Sequence, residues 1–324
     1  MSDAPAPARR SHATALRVAQ AAFVVVVVLF IVRYLRHAWP AVDAYQWHLR
    51  PGLLVASALL VLVYYLGSAL VWWLILRQSG LVAGRRPTVA TWGKSILARY
   101  VPGNVFQFVS RAWMHHRQGL DVDRVGAGMV YEQVLNVAGA LAVTAVLFPF
   151  WHFESDDAAW ALLAIPVIVV ALHPRVFARL AAVALRVVHR PPLTRVLPFR
   201  AVLGLLVAFS GLWLLAGLAM WTLAAAVTSV SITAYPEITA GFALGFVAGM
   251  VVFFVPSGIG VREGVLAAAT ATVFASGGVA LAWALLARLW QTALELAFVG
   301  VAVLADRHRG GGGSPARRRQ RDDL

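Results

Sequence analysis

The sequence predicts an all-α fold: a polytopic transmembrane helical bundle of six to eight spans, with two apolar segments broken in the middle. Three observations carry this expectation. Hydrophobic residues make up 60% of the 324 positions and charged residues only 13%, far from the charged surface of a soluble globular domain. Apolar runs long enough to cross a bilayer, which takes about 20 residues of helix, recur along the chain. Two further apolar stretches are cut at similar motifs, Tyr100-Val101-Pro102-Gly103 and Phe254-Val255-Pro256-Ser257-Gly258. A helix loses a backbone hydrogen bond at such a proline, and irregular backbone at membrane depth is tolerated only where protein buries it or water reaches it.

Taken in order, residues 1–14 are small, polar and Pro/Ala-rich and read as a disordered cytoplasmic lead-in. The first apolar run, 23–32 with helical shoulders, is followed by Arg33 and Arg36 where a cleavage site would need small residues, so it reads as an uncleaved span. Residues 53–76 form the second span, with Arg77, Arg85, Arg86 and Lys94 close behind. The first broken segment comes next, and a third span at 125–150 follows it. Loop 151–159 holds three acids and no Lys or Arg and is expected outside. A shorter fourth span, 158–172, leads into a stretch with six arginines, which brings the chain inside again. There Arg175, Arg179, Arg186 and Arg190 fall within an arc of about 60° at 100° per residue, the pattern of a basic amphipathic helix lying on the inner leaflet.

Residues 201–227 are the fifth span, and 229–237 carry no basic residue and are expected outside. The second broken segment, 238–275, either crosses twice or dips in and returns; 279–305 is the last long span. One membrane domain, 15–305, is thus flanked by the lead-in and by a Gly-rich basic tail, 306–324, with both termini cytoplasmic. If both broken segments are re-entrant, the two halves have inverted topology.

The net charge of +14 is, in a membrane protein, first the signature of loops retained on the cytoplasmic side, and no nucleic-acid partner is expected. The absence of cysteine excludes disulfides, thiolate metal sites and cysteine nucleophiles. No metal or cofactor is expected: His115-His116 with Asp121 and Asp123 read as a solvated polar face, and the Gly258/Gly260 pair follows no strand, so it is no dinucleotide fingerprint. Trp39, Trp47, Trp72, Trp73, Trp92, Trp113, Trp151 and Trp160 lie near span ends, where an aromatic belt is expected.

Charges inside the spans are the candidate chemistry. A charge at a helix centre costs about 2.5–3.5 kcal/mol even on the lenient insertion scale, so Glu132, Arg288 and Glu295 are expected to face an interior and to have partners. Arg288 and Glu295 are separated by about 10 Å along their helix at 1.5 Å per residue, so each needs a partner elsewhere. Glu132 with Arg288 is the expected structural ion pair; a substrate or proton path through the same residues is the other reading, and the two are compatible. Arg262 and Glu263 open the helix after the second break. Glu263 suits the helix macrodipole there, whereas Arg262 opposes it and points to an anionic partner such as a lipid phosphate. Arg99 and Arg111 flank the first break, where the inside rule explains them equally well. Asn104 and Gln107 can satisfy backbone groups freed by the break. The candidate headgroup site is therefore Arg99, Pro102, Gly103, Arg111, Pro256, Gly258 and Arg262, built on one broken segment in each half.

Three clusters in this order, SILARYVPGNVFQFVSR with a downstream RQG, then YEQVLNVAGAL, then FVPSGIGVREG followed by ALLARLWQTALELAFVG, resemble the lysylphosphatidylglycerol synthase transmembrane-region family over residues 15–305. Members are similar to the membrane-embedded flippase portion of bacterial multiple peptide resistance factors. The chain departs from the family pattern at Pro256-Ser257-Gly258, where Pro-Gly-Gly is commoner, and at Glu132-Gln133, where an acid followed by arginine is commoner. In the synthases the resemblance assigns aminoacyl transfer to a soluble domain after the membrane part. Only a short polar tail follows Ala305 here, so it implies the lipid-handling half without the enzyme. The implied partner is a membrane phospholipid or lipid-linked substrate in the bacterial inner membrane. The competing expectations are a membrane-embedded transferase acting on a lipid and a non-transporting scaffold for a separate glycosyltransferase or lipid synthase.

Overall fold

In a computed structural model of the chain, residues 42–100, 106–151, 161–187, 196–252 and 258–310 are described, with scattered positions between 29 and 40. The described residues form helices and turns, with no strand among them. The expected span at 23–32 lies almost wholly outside them, as do Pro102, Gly103, Asn104 and Pro256 at the breaks and most of the acidic loop.

Helix α1, Pro51–Gln78, starts with a proline in its first turn and ends with Arg77 in its last, each where the helix tolerates or favours it. α2, Arg85–Ile96, tightens into a 3-10 turn at Leu97–Tyr100, and α3, Phe106–His116, follows the break. α4, Val122–Leu147, is capped by Asp121, whose carboxylate accepts from the Arg124 N–H at 2.8 Å. Past the acidic loop, α5, Ala164–Ala171, turns by 83° into α6, Pro174–Val187. α7, Phe199–Val227, and α8, Tyr235–Val251, precede the second break; α9, Val261–Ala269, and α10, Gly277–Gly310, follow it. The last helix continues five residues beyond the expected end of the membrane domain at 305.

Among the described residues, five helical stretches are long and apolar enough to cross a membrane: Pro51–Gln78, Val122–Phe150, Phe199–Val227, Ile232–Val251 and Gly277–Ala305, with the bent α5–α6 pair as a sixth. The chain is a multi-pass membrane protein. α1 and α7 run antiparallel, since His48 N–H donates to Val227 O near one end and Ser57 Oγ to Ala219 O further along. α10 runs parallel to α1: Trp290 Nε1 donates to Ser57 Oγ and Tyr65 Oη to Glu295 Oε2.

The helices that flank each break pack antiparallel, so each broken segment folds back as a hairpin. In the first, Gln118 Nε2 reaches Thr91 Oγ1 at 2.8 Å and Arg111 Nε reaches Ser95 Oγ at 2.9 Å, so α3 runs back along α2 and the chain leaves from the face it entered. α2 alone, at 12 residues, is about 18 Å long at 1.5 Å per residue and cannot cross a core of about 30 Å. In the second, a Cβ on Gly241 would lie 2.7 Å from Ala269 Cβ, one on Gly245 would lie 2.9 Å from Arg262 O, and Gly258 packs 2.8 Å from Gly249 Cα by the same measure. Thr272 Oγ1 then donates to Glu237 Oε2 at 3.1 Å, back at the entry level. Ile232–Val251 therefore belongs to a hairpin although its length would allow a crossing. The first hairpin enters at the face where α1 ends; the second enters where α7 ends, which is the face where α1 begins. The two hairpins enter the bundle from opposite ends.

The basic amphipathic segment is a helix. Phe177 on α6 is buried and stacks on Tyr131 of α4 with ring centroids 4.7 Å apart, while Arg175 and Arg179 are exposed. The Arg186 side chain and Arg190 lie outside the described residues.

Candidate functional site

The hairpins meet around a cavity of 360 Å3. The first contributes Arg99, Gln107, Phe108 and Arg111; the second contributes Gly249, Met250, Arg262 and Glu263; α4 and α10 add Glu132, Gln133, Asn136, Arg288 and Gln291. Phe209 and Trp213 of α7 with Phe242 and Phe246 of α8 form an apolar wall. One side of the cavity is thus charged and polar and another aromatic, which suits an amphiphile. Its volume falls among ordinary small-molecule sites.

The ion pairs differ from the expected Glu132–Arg288 pair. Glu132 binds Arg111 of the first hairpin through the Arg111 Nη1, and Arg288 Nε lies 3.3 Å from Glu263 Oε1 of the second. The hairpin fold is the reason: each hairpin carries its own charge into the interior and meets a residue of a neighbouring span. The expectation that Arg288 and Glu295 each find a partner elsewhere holds, for Arg99 Nη1 reaches Glu295 Oε2 at 3.1 Å and Tyr65 Oη donates to the same oxygen at 2.9 Å.

Arg111 is the most enclosed of these cations, at 3% exposure. Its guanidinium donates to Ser95 Oγ and Glu132 and lies 5.0 Å from the Trp72 ring and 5.7 Å from the Trp92 ring, while Trp92 Nε1 donates to Glu132 Oε1 at 2.7 Å. Trp72 and Trp92 are therefore buried cation partners, a correction to their assignment to the aromatic belt; Trp39, Trp47 and Trp113 are exposed. His115 is likewise no part of a solvated face. It is fully buried, its Nε2 accepts from Trp72 Nε1 at 3.1 Å, and its Nδ1 faces Gln118 Oε1 at 3.2 Å, which fixes the Nδ1–H tautomer. No group of metal-ligating residues occurs among the described residues.

Arg262 stands apart. Its guanidinium lies 4.8 Å above the Phe246 ring and its buried Nε has no hydrogen-bond partner. It forms no ion pair with a carboxylate among the described residues. Gly249 makes its position available, since a Cβ there would lie 2.7 Å from Arg262 Cγ and Nε. Gly258 and Gly260 turn the chain into α9 with φ of +66° and +84°, conformations that side chains other than glycine rarely adopt. Glu263 accepts from the Gly260 N–H, the N-terminal role anticipated for it, and adds the Arg288 contact that was not. Across the whole cluster four arginines (99, 111, 262, 288) face three glutamates (132, 263, 295), leaving one positive charge.

The sequence from Arg17 to Phe298 matches the family described as the lysylphosphatidylglycerol synthase TM region. The chain belongs to that family. The match spans both hairpins and every residue of the cavity, and it makes this family member a membrane protein linked to lipid synthesis or flipping. Comparison with curated proteins returned no match.

Arg99, Arg111, Arg262, Glu132 and Arg288, singled out from the sequence, line the one cavity, with Glu295 behind Arg99. Gly258 serves the close packing of the second hairpin. Tyr65, Trp72 and Trp92 were not legible as site residues. Trp92 lies within the broken segment itself, and that placement was the available signal.

Proposed function

We propose that the cavity binds the anionic headgroup of a membrane lipid and that the protein helps that lipid pass between leaflets. Arg262 carries this reading: it is a cation without a carboxylate partner among the described residues, placed beside the second break and facing a cavity with one surplus positive charge. A phosphodiester satisfies it, because a guanidinium presents paired N–H donors that match phosphate oxygens. The aromatic wall suits the adjoining glycerol and first methylenes, while the acyl chains stay in the bilayer. Hairpins entering from opposite faces suit a midplane site approached from each side in turn. In this reading the protein lies in the bacterial inner membrane with both termini cytoplasmic, and a separate lipid synthase or glycosyltransferase supplies or uses the lipid.

The test is phospholipid retained by the purified protein, together with headgroup exposure on the outer leaflet in a deletion strain rescued with each variant. Arg262→Lys should fold and insert yet lose much of the retained lipid, and Arg262→Ala nearly all. Arg179→Ala, on the exposed face of α6, should lose little. Full lipid retention and full rescue by Arg262→Ala at normal protein levels would refute the proposal.

A further inference from the structure

Arg262 already has a resident partner, and it is a ring. The guanidinium lies 4.8 Å from the centroid of Phe246, inside the range of about 6 Å over which an aromatic face attracts a cation. The stem is fixed by close packing: a Cβ on Gly249 would lie 2.7 Å from Arg262 Cγ and Nε, and one on Gly258 would lie 3.1 Å from Nε. Phe246 and Gly249 are three residues apart and so share one face of α8. The carboxylate next in sequence, Glu263, is engaged by the Gly260 N–H and by Arg288. The ring is itself held. Trp213 of α7 is 2% exposed, its ring centroid lies 4.9 Å from that of Phe246, and its Nε1–H donates to Asn136 O and Oδ1 of α4, both at 3.0 Å. Three helices thus fix an aromatic face against a cation that α9 brings in on the other arm of the hairpin.

This contact acts chiefly on the vacant site. A cation held away from water without a counter-charge is costly, and the negative face of a ring offsets part of that cost. An anion that pairs with Arg262 neutralises it, and the ring then attracts the neutralised pair far less than the bare cation. The ring therefore stabilises the empty site more than the filled one, which lowers the affinity for the anion. We infer that Phe246 is a place-holder for the anion: it satisfies Arg262 between occupants and so lets the site release what it binds. A site that takes up its cargo from one side and gives it up on the other must bind weakly enough for exit. This rests on the lipid-binding reading above and adds what sets the affinity. Phe246 is a positioning residue that acts on the anion through Arg262. A purely structural role has the opposite sign, since weakening a ring that only props Arg262 in place, or only touches the lipid, would lower affinity.

The experiment varies the charge distribution of the ring at nearly constant shape. Phe246 is replaced, in the full-length detergent-purified protein, by 4-fluoro-, 3,5-difluoro- and 3,4,5-trifluorophenylalanine, which withdraw negative charge from the ring face stepwise. Binding of dioctanoyl phosphatidylglycerol, used as a phosphodiester probe, is measured by native mass spectrometry, and the melting temperature is measured in lipid-free micelles. Affinity should rise along the series, by about fivefold for the trifluoro ring, while the melting temperature of the empty protein falls. In Arg262→Gln the melting temperature should no longer depend on the ring. Affinity that falls or stays constant along the series would overturn the inference and leave the headgroup site standing. A melting temperature that falls equally in Arg262→Gln would assign the contact to ring packing and overturn the inference as well. Failure of the unmodified protein to bind the probe would overturn the headgroup site and the place-holder with it. The direction of the affinity change needs only the ring series, so it decides the matter even where Arg262→Gln fails to fold.

Discussion

Glu132→Gln is the sharpest probe of the buried network, because it removes one charge and little volume. Arg111 and Glu132 are 3% and 6% exposed, so neither charge can be screened by water. Breaking a buried pair by removing one partner costs about 3–5 kcal/mol, most of it the penalty of an uncompensated charge. Arg111 keeps Ser95 and two indole rings after the change, and a desolvated cation–π contact contributes about 2 kcal/mol. The glutamine can still accept from Trp92. The cost of Glu132→Gln should therefore lie at the lower end, about 3 kcal/mol. Arg111→Met, which strands the carboxylate with Trp92 as its remaining donor, should cost about as much. In the double variant both buried charges are gone, and the loss should be well below the sum of the two, with a coupling of at least about 2 kcal/mol in a double-mutant cycle. Equilibrium unfolding in mixed micelles, followed by tryptophan fluorescence, reads all four corners of the cycle. Additive single losses would refute the pairing and with it the role of the first hairpin as a charge carried into the core.

Gly249→Ala places a methyl 2.7 Å from Arg262 Nε; the flexible side chain should move away, so lipid retention should fall several-fold while the melting temperature changes little. Gly245→Ala instead meets the Arg262 backbone oxygen at 2.9 Å and should destabilise the second hairpin by about 1–3 kcal/mol, read as a lower melting temperature in detergent. Arg179→Cys and Thr233→Cys, in a chain without background thiols, should label from opposite sides of the membrane; labelling of both from one side would overturn the topology. Tyr65→Phe removes a donor from buried Glu295 and should lower stability by about 1 kcal/mol.

How much was legible follows from where each signal resides. The two breaks announced themselves because proline and glycine act on the backbone locally, and the arginines beside them stood out against apolar surroundings. Ion-pair partners were a different matter. Arg288 finds Glu263 only because α9 folds back along α8, and nothing in the spacing of either residue records that register. The inward turn of Trp72 was hidden for a related reason. α1 is apolar on all sides, so its periodicity leaves no polar face to show which side meets protein and which meets lipid. His115 was misplaced by its neighbours, since a run of polar residues reads as a loop whether or not the final turn of a helix tucks one of them under a tryptophan.

The surplus charge beside the two breaks has an electrical consequence. With no occupant, the four arginines and three glutamates of the cluster carry one net positive charge inside the bundle, and a membrane potential would act on it in proportion to its depth. Moving an elementary charge through the full potential is worth about 2.3 kcal/mol per 100 mV, so half the depth corresponds to about 1.2 kcal/mol. A monoanionic occupant cancels that charge. The loaded site is then indifferent to voltage, and the field biases only the empty one, drawing it toward the negative side. Under the proposed function, a voltage-dependent rate would report the return of the vacant site, not the passage of the lipid.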